Sequence, residues 1–379
     1  MRYSSIKAIH LYTTLVLMVP LILASVTGAI LVYGPELQRA FAPGGWSVVP
    51  SGTPLPPVTI LDRVHEQRPD LPVWALSLAE AEDLPHTAWL SGGKGVINID
   101  PYSGDILAHY KPNETFQGWV TALHRRYLAE GKPARWTRHA VSAFALLFAF
   151  EICIGLWLWL KLPNRIKRLA IPKGRSTVMT VLRLHQLTGV LTALLLLTIA
   201  YTGMAMYWHK PMQWVLETLT FSKIAQEKPP EFDGLSPLED LRAALSLAAA
   251  VPATADANLR TLRPPDEPGS PAIMTFVAEG QSVPTRVWIG DHPARVLHVQ
   301  DGRDATLATW LWHLKYQIHV GTFAGPLVRA FWVVLALTPA GFVISGLWLH
   351  LKRRRKPLLT PSRPTDRRPS RHPRSSASH

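Results

Sequence analysis

The sequence predicts an all-α membrane fold: a four-helix bundle made of two parallel repeats, carrying two α+β modules in its long loops. Three observations predict it. Four long apolar blocks are separated by polar chain. The basic residues crowd into alternate connections between the blocks. The pattern of the first two blocks returns in the last two.

The blocks come first. Residues 8–35, 184–209 and 330–351 contain no charged side chain, and residues 139–160 contain one, Glu151. About 20 apolar residues span the hydrocarbon core as a helix, so each block is long enough. Four such blocks rarely coexist as buried helices of a soluble protein. The chain therefore divides into a first helix at 8–35, a loop module at 36–137, a second helix at 138–160 and a basic loop at 161–183. A third helix at 184–209, a second module at 210–328, a fourth helix at 329–351 and a basic tail at 352–379 complete it. The first block is too long and uninterrupted for a signal peptide's apolar region and is read as a permanent helix.

The formal charge is +14 over 379 residues, and its placement matters more than its size. Lys161, Arg165, Lys167, Arg168, Lys173, Arg175 and Arg183 sit in the short loop without an acid, and the tail runs Lys352-Arg-Arg-Arg-Lys356. Arg2 and Lys7 precede the first block. Positive charge beside membrane helices stays cytoplasmic. Both termini are thus expected on the cytoplasmic side of a membrane, with 36–137 and 210–328 on the far side. Orientation accounts for the basic tail without a nucleic-acid partner, and its Pro, Ser and Arg content predicts disorder. The single cysteine, Cys153, excludes intrachain disulfides, zinc clusters and all-cysteine iron–sulfur sites.

The repeat is legible residue by residue. His10 precedes Thr27-Gly28 by the interval at which His185 precedes Thr202-Gly203. Gly155-Leu-Trp-Leu-Trp-Leu-Lys161 matches Gly346-Leu-Trp-Leu-His-Leu-Lys352 at all but one position, and Arg138 and Arg329 lie equally far before those glycines. Halves of equal orientation are parallel repeats about an axis along the membrane normal. In the loops, 57–68 and 236–250 read as short amphipathic helices. Val96–Ile99 and Ile106–Tyr110 flank the turn Asp100-Pro-Tyr-Ser-Gly104-Asp105 as a hairpin, echoed by Arg286–Ile289 and Arg295–Val299. The aromatic stretches Phe116–Tyr127 and Ala308–His319 lead into the second and fourth helices.

This order of parts, the Asp100-Pro-Tyr-Ser-Gly-Asp hairpin and the histidine-led helices resemble the PepSY-associated transmembrane family over residues 1–352. Within it the chain is similar to the inner-membrane ferrisiderophore reductases of the FoxB type. The resemblance implies two b-type haems in the bundle and electron transfer outward to the iron of a ferric siderophore. The family is mixed, and its name implies an alternative: a haem-free membrane protein whose outer modules bind or inhibit a peptidase.

The residues bear on that choice. The fifteen histidines gather at helix ends. His10, His185 and His350 lie at the cytoplasmic end of the bundle; His124, His139, His209, His313 and His319 lie at the other. Two imidazoles on facing helices make a six-coordinate haem site suited to electron transfer. His10 and His185 are equivalent and form a natural inner pair. His124 pairs with His319 or His313. The family's motif of a histidine followed by Gly and Gly-x-x-x-Arg fits His319-Val-Gly321, Gly325 and Arg329 better. His139, His209 and His350 lack counterparts, although His139 with His209 is an alternative pair. Arg125, Arg126, Arg138 and Arg329 are candidates for propionates or simple interface residues. Glu151 is a candidate for proton coupling or for a hydrogen bond to a neighbouring helix. Gly92, Gly93 and Gly95 open no helix and are not a dinucleotide fingerprint. Without a flavin or nicotinamide site, electrons must come from quinol or a cytoplasmic reductase.

Topology is directly testable. Reporter fusions within 50–115 and 230–300 are expected to report the periplasmic side; a cytoplasmic signal from either overturns the parallel repeat.

Overall fold

The protein is described by a computed structural model covering residues 3–354, apart from 43, 172, 173, 175 and 226–235. Most of the predicted tail lies outside the described residues.

The first half runs α1 (Tyr3–Val32), α2 (Gly34–Phe41) and α3 (Pro57–Gln67), then β1 (Val73–Ser77), β2 (His86–Leu90), β3 (Val96–Ile99) and β4 (Ile106–Tyr110). It closes with α4 (Phe116–Arg126) and α5 (Gly131–Leu160). The second half repeats the order. Helices α6 (Thr177–Ala205), α7 (His209–Thr220) and α8 (Leu241–Ala249) precede β5 (Ala257–Arg263), β6 (Ala272–Ala278), β7 (Thr285–Gly290) and β8 (Arg295–Gln300). Then come α9 (Leu307–Val320) and α10 (Gly325–Arg354).

Helices α1, α5, α6 and α10 have the length and apolarity to cross a membrane. Each begins four to seven residues before its predicted span. At 1.5 Å per residue they are about 45 Å long, more than the roughly 30 Å of hydrocarbon, so their first turns stand in the polar interface. They form a closed ring in which α1 and α6 each pack against both α5 and α10. Leu17, Phe148, Leu196 and Leu335 meet in its core. Tyr12, Val16, Val19, Leu191, Leu194, Val334 and Ile344 are exposed on the outside, an apolar belt that suits lipid.

One backbone repair stitches this ring. Pro339 lies inside α10 and has no N–H for the helical ladder. The buried Ser25 hydroxyl of α1 enters the gap. It donates to the Ala336 carbonyl and accepts from Ala340 N at 3.3 Å. Groups freed at membrane depth must be satisfied in this way.

The strands form a single antiparallel sheet, ordered β4-β3-β2-β1-β5-β6-β7-β8. The two predicted loop modules therefore share one sheet. Leu76 pairs with Leu262 and Ser77 with Thr261, so β1 and β5 fuse the halves. Left apart, each would be an edge strand with unpaired backbone groups. Both predicted hairpins are present as β3–β4 and β7–β8. Helices α3 and α8 cover one face. Val58 packs with Ala244, Ala248, Leu262 and Met274; Ile60 and Val64 pack with Leu76, Ala88 and Ile97. Arg242 of α8 binds Asp62 of α3 across the seam.

His86 sits in this sheet with 6 % of its surface exposed. Its Nδ1 accepts from Ala79 N at 3.0 Å, and burial pushes its pKa down to about 4, against a smaller opposing pull from Asp100. The unfolded chain therefore binds this proton more tightly. Stability is complete above the ordinary value near pH 6.5, falls as pH drops towards 4, and flattens below. Two and a half pK units correspond to at most about 3 kcal/mol. Thermal melts from pH 7 to 4 are expected to show this slope, and His86→Gln to flatten it. Separately, Ser25→Ala is expected to cost about 1–3 kcal/mol, since it strips a buried carbonyl and N–H of their partner; denaturant unfolding in detergent reads the loss.

Candidate functional site

The bundle has two polar levels, one at the sheet end and one at the basic-loop end. Along α1 they are marked by Thr27 and His10, and along α6 by Thr202 and His185. Each interval is 17 residues, or about 25 Å of helix.

At the sheet end, α4 and α9 bring histidines against the membrane helices. The N-terminus of α4 is capped by Thr115, whose hydroxyl accepts from Gly118 N at 3.0 Å. Gln38 of α2 accepts from Gln117 N at 3.0 Å, and Tyr127 ends the helix in the left-handed region at φ 51°. Thr306 caps α9 by accepting from Thr309 N at 3.2 Å. Gly321 ends it at φ 78°, where a Cβ would fall 2.3 Å from Trp332. So anchored, α4 presents His124 to α1 and α9 presents His319 to α6.

The two contacts have the same form. His124 Nδ1 lies 2.8 Å from Thr27 Oγ1, and His319 Nδ1 lies 3.0 Å from Thr202 Oγ1. Each threonine hydroxyl spends its own proton one turn back, on Leu23 O at 2.5 Å and Thr198 O at 2.8 Å. The threonine oxygen is then an acceptor, so the imidazole proton is on Nδ1. His319 Nδ1 also faces the Ile199 carbonyl at 3.2 Å, which fits the same tautomer. Nε2 is left as a bare lone pair on each ring. Burial holds both pKa values near 4, with the other histidine and Arg125 adding to the effect on His124 and Arg125 on His319. Both rings are neutral at pH 7.

Glycines make the approach possible. A Cβ on Gly203 would stand 3.1 Å from His319 Cε1, and one on Gly28 would stand 3.4 Å from His124 Cε1. The His124 and His319 ring centroids are 6.3 Å apart. Two metal–imidazole bonds of about 2 Å plus two ring radii of about 1 Å give about 6 Å, the centroid separation that two imidazoles sharing one metal ion would need.

At the basic-loop end, His10, His185, Thr14, Glu151, Gly155, Gly346 and His350 are among the residues lining a cavity of about 430 Å³, in the size range of cofactor sites. The His185 Nδ1 lies 2.8 Å from Ser345 Oγ, which donates to Phe342 O at 3.2 Å. That again puts the proton on Nδ1. His10 Nδ1 lies 2.9 Å from Glu151 Oε1, a hydrogen-bond separation with the N–H not aimed squarely at the oxygen. A Cβ on Gly155 would meet His10 Cε1 at 3.5 Å, and one on Gly346 would meet His185 Cε1 at 3.9 Å.

The other candidates have different surroundings. His139 Nδ1 accepts from Trp208 Nε1 at 3.0 Å, so a neutral His139 carries its proton on Nε2 and has no lone pair to give. His209 Nε2 faces the Met206 carbonyl at 3.2 Å, and its ring packs on Trp312. His350 lines the inner cavity beside Trp159. His313 lies six residues before His319 on α9, and it is His319 whose threonine contact matches that of His124. The expectation that Arg329 is available for a propionate is corrected. Its Nε and Nη2 donate to the Val32 carbonyl, its guanidinium pairs with Glu36 at 2.5 Å, and it lies 4.3 Å over the Tyr33 ring. It locks α10 to α1 and α2. Arg125 and Arg138 stand close enough to repel each other.

Among the described residues no group of three or more His, Cys, Asp or Glu side chains converges on a metal position. Histidine pairs alone leave a simple ion short of ligands. They suit an iron whose other four ligands come from a porphyrin. The hydroxyl partners of these histidines escaped the sequence reading. Thr27 and Thr202 stood out as repeat markers, but their contacts depend on how α4 and α9 fold back.

The description "PepSY-associated TM region" belongs to the family model that matches residues 8–353. No curated protein matches the chain.

Proposed function

The chain belongs to the PepSY-associated TM family, and from that membership we propose that it is a di-haem electron-transfer protein of the bacterial inner membrane, reducing ferric siderophore at its periplasmic face. The observation that carries this reading is the matched pair His124 and His319, each with Nδ1 turned to a threonine hydroxyl and ring centroids 6.3 Å apart.

The proposed assignment gives one b-type haem to His124 and His319 and another to His10 and His185. Haem bound at the two levels supplies one-electron transfer across the bilayer. The chain's own residues fix the tautomers of His124, His319 and His185 and hold the His124 and His319 rings 6.3 Å apart. Thr27, Thr202 and Ser345 orient imidazoles, and Leu17, Phe148, Leu196 and Leu335 fill the space between the levels. Arg125 and Arg138 are placed to attract propionates. The same reading treats the halves as parallel repeats, with both termini cytoplasmic and the sheet periplasmic. Exchanging α1 and α5 for α6 and α10 leaves the neighbours within the four-helix ring unchanged, α4 packs on α1 as α9 packs on α6, and the strand order reads the same from either edge. An electron from quinol or a cytoplasmic reductase enters at the basic-loop end. Its arrival turns siderophore-bound Fe(III) into Fe(II), which the siderophore holds far less tightly.

Purified protein from haem-replete cells is expected to give two haems per chain in a pyridine haemochrome assay and a low-spin spectrum. His319→Ala and His185→Ala are each expected to remove one haem and spare the other. Chemically reduced protein is expected to be reoxidised by ferric siderophore, with Fe(II) appearing in a ferrous trap. Protein without haem leaves the peptidase-binding alternative. Protein with both haems that stays reduced in excess ferric siderophore overturns the substrate.

A further inference from the structure

Three of the four paired histidines turn Nδ1 to a hydroxyl: Thr27, Thr202 and Ser345. The fourth, His10, meets a carboxylate. Glu151 is 7 % exposed. Its Oε1 lies 2.9 Å from His10 Nδ1 and 2.5 Å from the Thr14 hydroxyl, which is also 2.7 Å from the His10 carbonyl. Its Oε2 is buried without a hydrogen-bond partner among the described residues, and the residue lines the inner cavity.

The repeat shows how specific this is. By the interval relating His10 to His185, Thr14 corresponds to Gly189; by the interval relating Gly155 to Gly346, Glu151 corresponds to Phe342. So the polar pair Thr14–Glu151 beside His10 is replaced, beside His185, by glycine and a phenyl ring 5.2 Å from the imidazole. At the sheet end the two halves use the same threonine. At the basic-loop level the other ligand differs too, since Ser345 beside His185 corresponds to Ile154, but only His10 meets an acid, and both residues of its polar pair differ together.

A carboxylate on the far nitrogen of a ligating imidazole makes the ligand more basic and pushes electron density onto the metal. The oxidised iron gains more than the reduced one, so the reduction potential falls. An isolated carboxylate in mid-bilayer is costly, and ferric charge relayed through His10 is the compensation available in this cavity. We infer that Glu151 is a positioning residue that polarises His10 and gives the haem of the basic-loop level the lower reduction potential, so that electrons run towards the sheet. The inference rests on the two-haem reading and goes beyond it, because two haems with equal ligand surroundings would carry no preferred direction.

The test is a spectropotentiometric titration of the full chain in lipid nanodiscs. Wild type is expected to show two midpoints, the lower one missing from His185→Ala. Glu151→Gln, which keeps the shape and loses the charge, is expected to raise the lower midpoint and leave the upper one in place. Glu151→Asp is expected to restore part of the difference. A near-infrared measurement on unaltered wild type guards against a misfolded variant: the ligand-to-iron band of one ferric haem should be displaced in the direction of imidazolate ligation, and His185→Ala should remove that component. Two haems with midpoints indifferent to Glu151→Gln, a shift falling on the upper midpoint, or two identical near-infrared signatures each overturn the inference while leaving the two-haem reading intact. A wild type without haem overturns both.

Discussion

Three of the four paired imidazoles in this bundle satisfy Nδ1 with a hydroxyl, and the rest of the site follows from how they do so. Away from water an unmatched N–H costs several kcal/mol. A threonine one turn from its own carbonyl acceptor solves the problem with a single hydroxyl. It feeds its proton to the helix and offers its oxygen to the ring. The consequence is chemical as well as structural. A ring tied down at Nδ1 has its lone pair on Nε2, aimed away from the helix that holds it. Two such rings on opposite halves then face one another.

Glycine is the second part of this device. Thr27 is followed by Gly28 and Thr202 by Gly203. A methyl group at Gly203 would stand 3.1 Å from His319 Cε1, so the ring would have to give way slightly, while the 3.4 Å spacing at Gly28 is ordinary contact with His124. The distance of each Thr-Gly pair from His10 or His185 along the same helix sets the separation of the two levels.

Much of the membrane architecture was legible because hydrophobic length and charge placement act locally along the chain. The four blocks are four helices, and the hairpins at 96–110 and 285–300 carried turn residues that announced them. Strands β1, β2, β5 and β6 were not recognised. The run Ala272-Ile-Met-Thr-Phe-Val-Ala278 shows little alternation, and what makes it a strand is a neighbour on each side. The fusion of β1 with β5 joins residues nearly 190 positions apart, and no local pattern encodes it. At the site, the repeat suggested His10 with His185, and a motif favoured His319 over His313 for His124, while the hydroxyl contacts of these rings were not visible. His313 and His319 share a helix, and only the fold of α9 against α6 singles out the one that meets Thr202. His139 looked like a ligand until its lone pair met the Trp208 indole.

The duplication also explains why the informative residues are the ones that break it. Where the two halves match, as at Thr27 and Thr202, a shared residue needs only a shared constraint. A buried carboxylate where the other half has Phe342 needs a further reason, because burying Glu151 is expensive. The Thr14 hydroxyl beside Glu151, where Gly189 stands in the other half, is a partner without which the acid would be costlier still. Two linked departures at one histidine give that end of the bundle a buried acid that the sheet-end pair lacks.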